Sequence, residues 1–95
     1  MNATATFQTE QARRHMATLC KHFARKVTAH HDDHAGHVEF PFGYCDFAAN
    51  SRGLTLTATA ADSKQLNTLI EVISRHLERF AFRENPELEW HPGPD

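Results

Sequence analysis

The sequence predicts an α+β domain, a two-layer sandwich in which an antiparallel sheet of about six strands carries two antiparallel helices on one face, in the order β-α-β-β-β-β-α-β. Three observations predict it. Two stretches, near residues 9–26 and 62–82, repeat apolar residues at helical spacing, so each has one side to bury. Around and between them lie runs that alternate apolar with polar residues, the period of strands covered on one face. Turn residues separate the middle runs closely, which favours hairpins and therefore antiparallel pairing. Two one-sided helices and strands with one polar face each are satisfied together when both helices cover the apolar face of a single sheet.

Residues 3–7 alternate small or apolar residues with threonine, a short strand with Ala5 and Phe7 facing inward. Thr9 then reads as a helix N-cap with Glu10 in the first turn. The helix runs to about Lys26 and aligns Ala12, Met16, Leu19, Cys20, Phe23 and Val27 on its buried arc. Arg13, Arg14, Lys21 and Arg25 fall on the far side, while His15, His22 and Lys26 line one border of the stripe.

From Val27 the period changes, and VTAHHD and GHVEFP read as two strands joined across residues 33–36, with Gly36 supplying a positive φ at the turn. Pro41-Phe42-Gly43 breaks that run, and residues 44–49 resume it with Cys45 and Phe47 inward. Asn50-Ser51-Arg52-Gly53 is a turn, and residues 54–60, LTLTATA, form the cleanest strand of the chain. Asp62 caps the last helix, with Gln65 as its capping-box partner. That helix places Leu66, Leu69, Ile70, Val72, Ile73, Leu77 and Phe80 on one arc, with His76 near its centre. Asn85-Pro86 stops it, residues 87–91 give a final strand with Leu88 and Trp90 on one face, and residues 92–95 form a loose tail.

The 95 residues make one domain, ordered over residues 2–91, and are enough to bury roughly 60 to 68% of the surface that the unfolded chain exposes. A net charge of -2 argues against a nucleic-acid binder, which needs a basic surplus to neutralise phosphates. The sequence carries no run of membrane-spanning length and no secretory signal in its first residues, so a cytoplasmic location is expected. Cys20 and Cys45 are expected to be free thiols. Eight histidines in so short a chain are the compositional anomaly.

Four features are candidates for function. A histidine inside an apolar stripe needs an explanation, because burial favours neutral imidazole with one lone pair left for a metal ion or a donor. Thiolate and imidazole suit zinc or iron, which makes Cys20, His22, Cys45 and His76 a candidate metal set, although no CxxC or HExxH spacing supports it. The plainer reading is a core histidine bonded to a carbonyl or carboxylate, with two ordinary buried cysteines.

A cationic border is the second feature. Antiparallel helices can turn the His15, His22, Lys26 border of one toward the Arg75, Arg79, Arg83 side of the other. His22, Lys26, His76, Arg79 and Arg83 would then line a pocket for a carboxylate, a phosphate or a negatively charged chelate. A solvated helix face explains the same spacing.

The tract HHDDHAGH, residues 30–37, looks metal-binding, but a hairpin points His30 and His31 to opposite faces and the tract also suits a plain polar turn. The outer face of the sheet should carry Thr4, Thr6, His37, Glu39, Tyr44, Asp46, Thr55, Thr57, Glu87 and Glu89. That face is acidic and rich in hydroxyls, suited to a homodimer interface or to solvent.

At LCKHFARK, GHVEFPFGYC and HLERFAFRE the chain resembles a small bacterial family, domain-of-unknown-function family 2218, over nearly its whole length. The matching positions are Cys20, Lys21, His22, Phe23 and Lys26, then Phe40, Pro41, Gly43 and Cys45, then His76, Leu77, Arg79, Phe80, Arg83 and Glu84. The histidine-rich hairpin lies outside these blocks. Members of that family occur alone or appended to siderophore-interacting flavin reductases, which implies a role near ferric-siderophore handling and such a reductase as a partner. The resemblance supplies no catalytic residues, and the chain has no GxGxxG signature for a nucleotide cofactor. The expected function is therefore a non-enzymatic accessory or binding domain of iron metabolism, taking a metal ion or ferric chelate. A small metal- or thiol-dependent enzyme, using Cys45 or Cys20 with His22 or His76, and a structural docking or dimerisation module are the alternatives.

Overall fold

The structure, a computed structural model, describes residues 1–93. The elements follow the predicted order: β1 (Asn2–Gln8), α1 (Ala12–Phe23), β2 (Thr28–His31), β3 (Ala35–Phe40), β4 (Gly43–Ala49), β5 (Gly53–Thr59), α2 (Ser63–Phe80), a single 3-10 turn (Phe82–Glu84) and β6 (His91–Pro92). Six strands form one sheet in the order β2-β3-β4-β5-β1-β6. Every neighbouring pair is antiparallel.

Strand alternation sets which side chains meet the helices. Ala3, Ala5 and Phe7 of β1, Cys45, Phe47 and Ala49 of β4, and Leu54, Leu56 and Ala58 of β5 are all buried. They pack against Met16, Leu19, Cys20 and Phe23 of α1 and against Leu66, Leu69, Ile73 and Leu77 of α2. Each large aliphatic side chain so buried contributes about 1.5–3 kcal/mol, so this layer holds the sandwich together. The helices run antiparallel: His15 near the start of α1 reaches Glu84 beyond the end of α2, while His22 at the end of α1 packs on His76, two turns earlier in α2.

Asp62 caps α2 as its sequence predicts, its carboxylate accepting a 2.8 Å bond from the Gln65 N–H. The start of α1 differs from expectation. Gln11, not Thr9, occupies the cap position, with no side-chain cap. Thr9 is diverted: its N–H bonds to the Arg52 carbonyl, and its hydroxyl accepts from the Gln11 N–H and donates to Glu84. Tertiary partners have taken the residue that local sequence assigned to the helix. The end of α1 also comes early, at Phe23, although residues 24–27 still direct their N–H groups back to carbonyls of the last turn. Val27 is consequently only half-buried.

Two glycines have different roles from a turn-forming one. The β2–β3 turn spans residues 32–35, where the Asp32 carboxylate accepts the N–H groups of His34 and Ala35. Gly36 is inside β3 and is needed for closeness, since a β-carbon there would lie 3.0 Å from Cys20 Sγ and 3.3 Å from Met16. Gly43 takes the positive φ, 152°, and its missing β-carbon would stand 2.5 Å from the Thr59 carbonyl oxygen.

The last strand is shorter than predicted. Among the described residues, only His91 and Pro92 of this strand pair with β1, opposite Thr4 and Ala3. Alternation nonetheless persists through the irregular segment before it: Leu88 and Trp90 pack on the core, with the Trp90 indole N–H donating to Ser74 Oγ at 2.9 Å, while Glu87, Glu89 and His91 are exposed. Asn85 in the left-handed region re-aims the chain, and Pro86 withholds a ladder donor, so the segment lies on the sandwich without joining the sheet. Pro92 and Gly93, expected in a loose tail, are tied to β1, Gly93 through a 3.0 Å bond to the Asn2 carbonyl. The rest of that tail lies outside the described residues.

Candidate functional site

A shallow groove of about 290 Å³ opens between the end of α1 and the end of α2, lined by Thr18, Lys21, His22, Arg25 and Phe80. Positions 18, 21 and 22 fall within an arc of about 100° on an ideal helix, so one side of α1 presents them together, and the turn after the helix brings Arg25 to the same side. His22 is half-buried, its ring 4.9 Å from that of His76 and 5.4 Å from Phe80. Phe23 closes the cluster from below, 4.8 Å from His76.

His76 is half-buried in this aromatic cluster, and its Nδ1–H donates to the Val72 carbonyl at 2.7 Å. That bond fixes the ring orientation, which is the plainer reading of a histidine in an apolar stripe. Its Nε2 is left as the second polar atom of the ring.

The electrostatics of the groove have one sign around the imidazole. Burial, then the basic neighbours His76, Arg25, Arg79 and Lys26, hold His22 below the ordinary histidine range. The arrangement can therefore receive negative charge from both helices: Lys21 and Arg25 from α1 and the turn after it, and Arg79 from α2.

The predicted pocket is partly assembled in this way. His22 and His76 come together, and Lys26 and Arg79 lie within electrostatic reach of them. Arg83 does not join them. It lines a second groove with Glu10, Gln11, Arg14 and Glu84 at the opposite end of α1, with its guanidinium 5.8 Å from the Phe82 ring. The reason is the antiparallel run of the helices: His76 lies beside His22, so residue 83, about two turns further on, falls beside the start of α1, as Glu84 does against His15. Arg75 is held in an exposed i,i+4 pair with Glu71. Thr18, Lys21 and Arg25 replace the missing members. The spacing 18, 21/22, 25 was visible in the sequence, but only the packing of the His22 ring on His76 and Phe80 shows that this side faces α2.

The four candidate metal ligands do not converge. Cys20 and Cys45 are buried between α1 and the sheet, and His22 and His76 lie between the two helices. Two residues along a helix turn the side chain by about 200°, which sends Cys20 to the sheet and His22 to α2. Among the described residues no group of three His, Cys, Asp or Glu side chains is placed to hold a metal ion. Burial pushes the Cys20 thiol up to about 11 and raises Cys45 further, with Asp46 adding to the effect at Cys45. Both features oppose thiolate chemistry.

The histidine that is deeply buried is His15, 3% exposed, which the spacing had placed on the same border as His22. Its Nε2 bonds to one oxygen of Glu84, and the Thr9 hydroxyl bonds to the other. These bonds, Thr9's first, hold the Glu84 carboxyl below the usual carboxylate range. They tie the start of α1 to the turn after α2.

On the outer face, cross-strand pairing places His30, His37, Asp46, Thr57, Thr4 and His91 in one row across all six strands. His37 Nδ1 bonds to Asp46 at 2.6 Å and Nε2 to Glu39 at 3.2 Å, and the Asp46 bond is the main cause of a pKa raised above the usual histidine value. Both ring nitrogens are thus engaged by carboxylate oxygens, which can only accept. His30 stacks on His37 on this face, while His31 pairs with Gly36, whose position faces the helices. No helix among the described residues is long and apolar enough to cross a membrane.

Comparison with known proteins gives three findings. Curated proteins yield no match. PA4090 from Pseudomonas aeruginosa, whose structure was determined by NMR, superposes with a TM-score of 0.82 at 26% identity, covering 99% of this chain and 98% of that one. The family described as an uncharacterized protein conserved in bacteria (DUF2218) matches residues 4–91, the whole sandwich from β1 to the first residue of β6, and the chain belongs to that family.

Proposed function

We propose that this domain is a non-enzymatic binding module that takes an anionic ligand or metal chelate in the groove between the ends of α1 and α2. The observation that supports this reading is that Lys21 and Arg25 line the groove beside the half-buried His22 ring, with Lys26 and, from α2, Arg79 within electrostatic reach of it. Like charges held together with an imidazole repel one another, and an anion relieves that repulsion while making charge-assisted hydrogen bonds. A metal enters as the centre of a negatively charged chelate, held through its outer oxygens, because the side chains themselves form no coordination shell. Ferric chelates with carboxylate or phenolate ligands have this character. The family's occurrence beside siderophore-interacting flavin reductases supports an accessory role in which the module docks on such a reductase and retains its substrate or product.

Calorimetric titration with pyrophosphate and with ferric citrate tests the reading. Arg25→Ala and Arg79→Ala should each weaken binding about 10-fold or more, the equivalent of about 1.5–3 kcal/mol for a charge-assisted bond, and added salt should weaken it further. Arg83→Ala should leave affinity within about twofold, since that side chain lies in the other groove. Equal binding by the wild type and the Arg25→Ala/Arg79→Ala double variant would rule the groove out.

A further inference from the structure

We propose that the groove loads its anion together with a proton, with the His22 imidazole as the acceptor. This rests on the binding reading above and adds its regulation. His22 is the one titratable group in the groove lining whose charge changes near neutral pH, the others being Lys21 and Arg25. On its own helix and the turn that follows, it is faced by Lys21, Arg25 and Lys26, and from α2 by His76 and Arg79. Every one of these is basic. The aromatic rings of Phe23 and Phe80, each 5.4 Å away, keep bulk water off part of the imidazole and strengthen the repulsion.

Without an anion, burial and four basic neighbours all oppose charging of the ring. An anion of two or more charges seated against Lys21, Arg25 and Arg79 reverses the sign of the local field. The balance is simple: the ring gains one proton from solvent, no bond in the ligand changes, and the net charge of groove plus ligand becomes one unit more positive than without uptake. His76 is already committed at Nδ1 to the Val72 carbonyl, so its ring is held in place beside His22 while His22 titrates. By linkage, one proton taken up on binding makes the apparent Kd rise about tenfold per pH unit between the titration points of the free and loaded forms. The module would then hold its ligand in mildly acidic surroundings and release it as pH rises.

The test uses oxalate, a small dianion fully ionised across the range examined, with the complete chain. Binding is measured by calorimetry in buffers of different ionisation enthalpy between about pH 5.5 and 7.5, and the His22 ring protons are followed by NMR with and without oxalate. The expected result is uptake of close to one proton per anion, an upward move of the His22 titration, and pH-independent binding in His22→Gln. If oxalate binds, and Arg25→Ala weakens that binding about 10-fold or more, but the His22 titration is the same with and without ligand, the groove reading stands and the proton-coupled inference is overturned. If oxalate binds at no pH, or binds unchanged in Arg25→Ala, both fall.

Discussion

Replacing Glu84 by alanine removes the shared acceptor of two donors in a nearly closed site. His15 is 3% exposed and Thr9 7%, and both direct a hydrogen bond to the Glu84 carboxylate. A bond to a charged acceptor is worth about 1.5–3 kcal/mol, and two orphaned donors would set the loss near the upper end if water were excluded. It is not excluded: the Glu84 side chain is 31% exposed, so truncation opens a path for solvent to reach both. We therefore expect a net loss of about 2–3 kcal/mol, which lowers the melting temperature by about 10–20 °C in a domain of this size. Glu84→Gln keeps an acceptor for the imidazole and loses about 1 kcal/mol. The pH dependence has a definite sign. Thr9 and His15 lower the folded-state pKa of Glu84, so its contribution is fully present above the unfolded-state value and is lost as pH falls through the folded-state one. Urea unfolding followed by circular dichroism, at neutral pH and down to about pH 3, measures both effects. A Glu84→Ala protein within about 0.5 kcal/mol of wild type, with an unchanged acid limb, would refute the argument that this tie holds α1 to the end of α2.

Three further outcomes are expected. His37 has its pKa raised chiefly by Asp46, so its stabilising contribution is present below the unfolded-state value and disappears as pH rises through the folded-state one; Asp46→Asn should shrink that step, leaving the smaller share from Glu39, and the whole step is under about 1 kcal/mol because both carboxylate partners are more than half exposed. Gly36→Ala should destabilise by about 1–3 kcal/mol in chemical unfolding, since the new methyl meets Cys20 Sγ and Met16, and Gly43→Ala by more, since it meets a backbone oxygen at a positive φ. Cys20 and Cys45 should resist alkylation in the native protein and react once denaturant is added; rapid native labelling of either would revive the thiol-enzyme reading.

The sandwich was legible in the sequence because its signals are local and redundant. LTLTATA can bury only one face, the stripe from Leu66 to Leu77 only one side, and the Asp62 cap and the Asn50 turn each form within three residues. What the sequence misplaced was decided by partners far away in the chain. Thr9 resembled a cap until Glu84, seventy-five residues on, took its hydroxyl. His15 and His22 are seven residues apart and share a helical border, so periodicity cannot separate them. One is roofed by the turn after α2 and becomes a buried structural residue, and the other lies open in the groove. The candidate site divided in the same way: the histidine pair and Arg79 followed from spacing and antiparallel helices, whereas the same antiparallel run carries Arg83 to the start of α1, and Lys21 and Arg25 were gained because their side of α1 packs toward α2, which no single-helix pattern encodes.

The most direct test of the binding reading is a backbone and side-chain NMR titration with pyrophosphate. The account predicts that the largest shifts fall on Thr18, Lys21, His22, Arg25, Arg79 and Phe80 and saturate together. Shifts gathered instead around Arg14 and Arg83, or on the outer face of the sheet, or none at all, would contradict it.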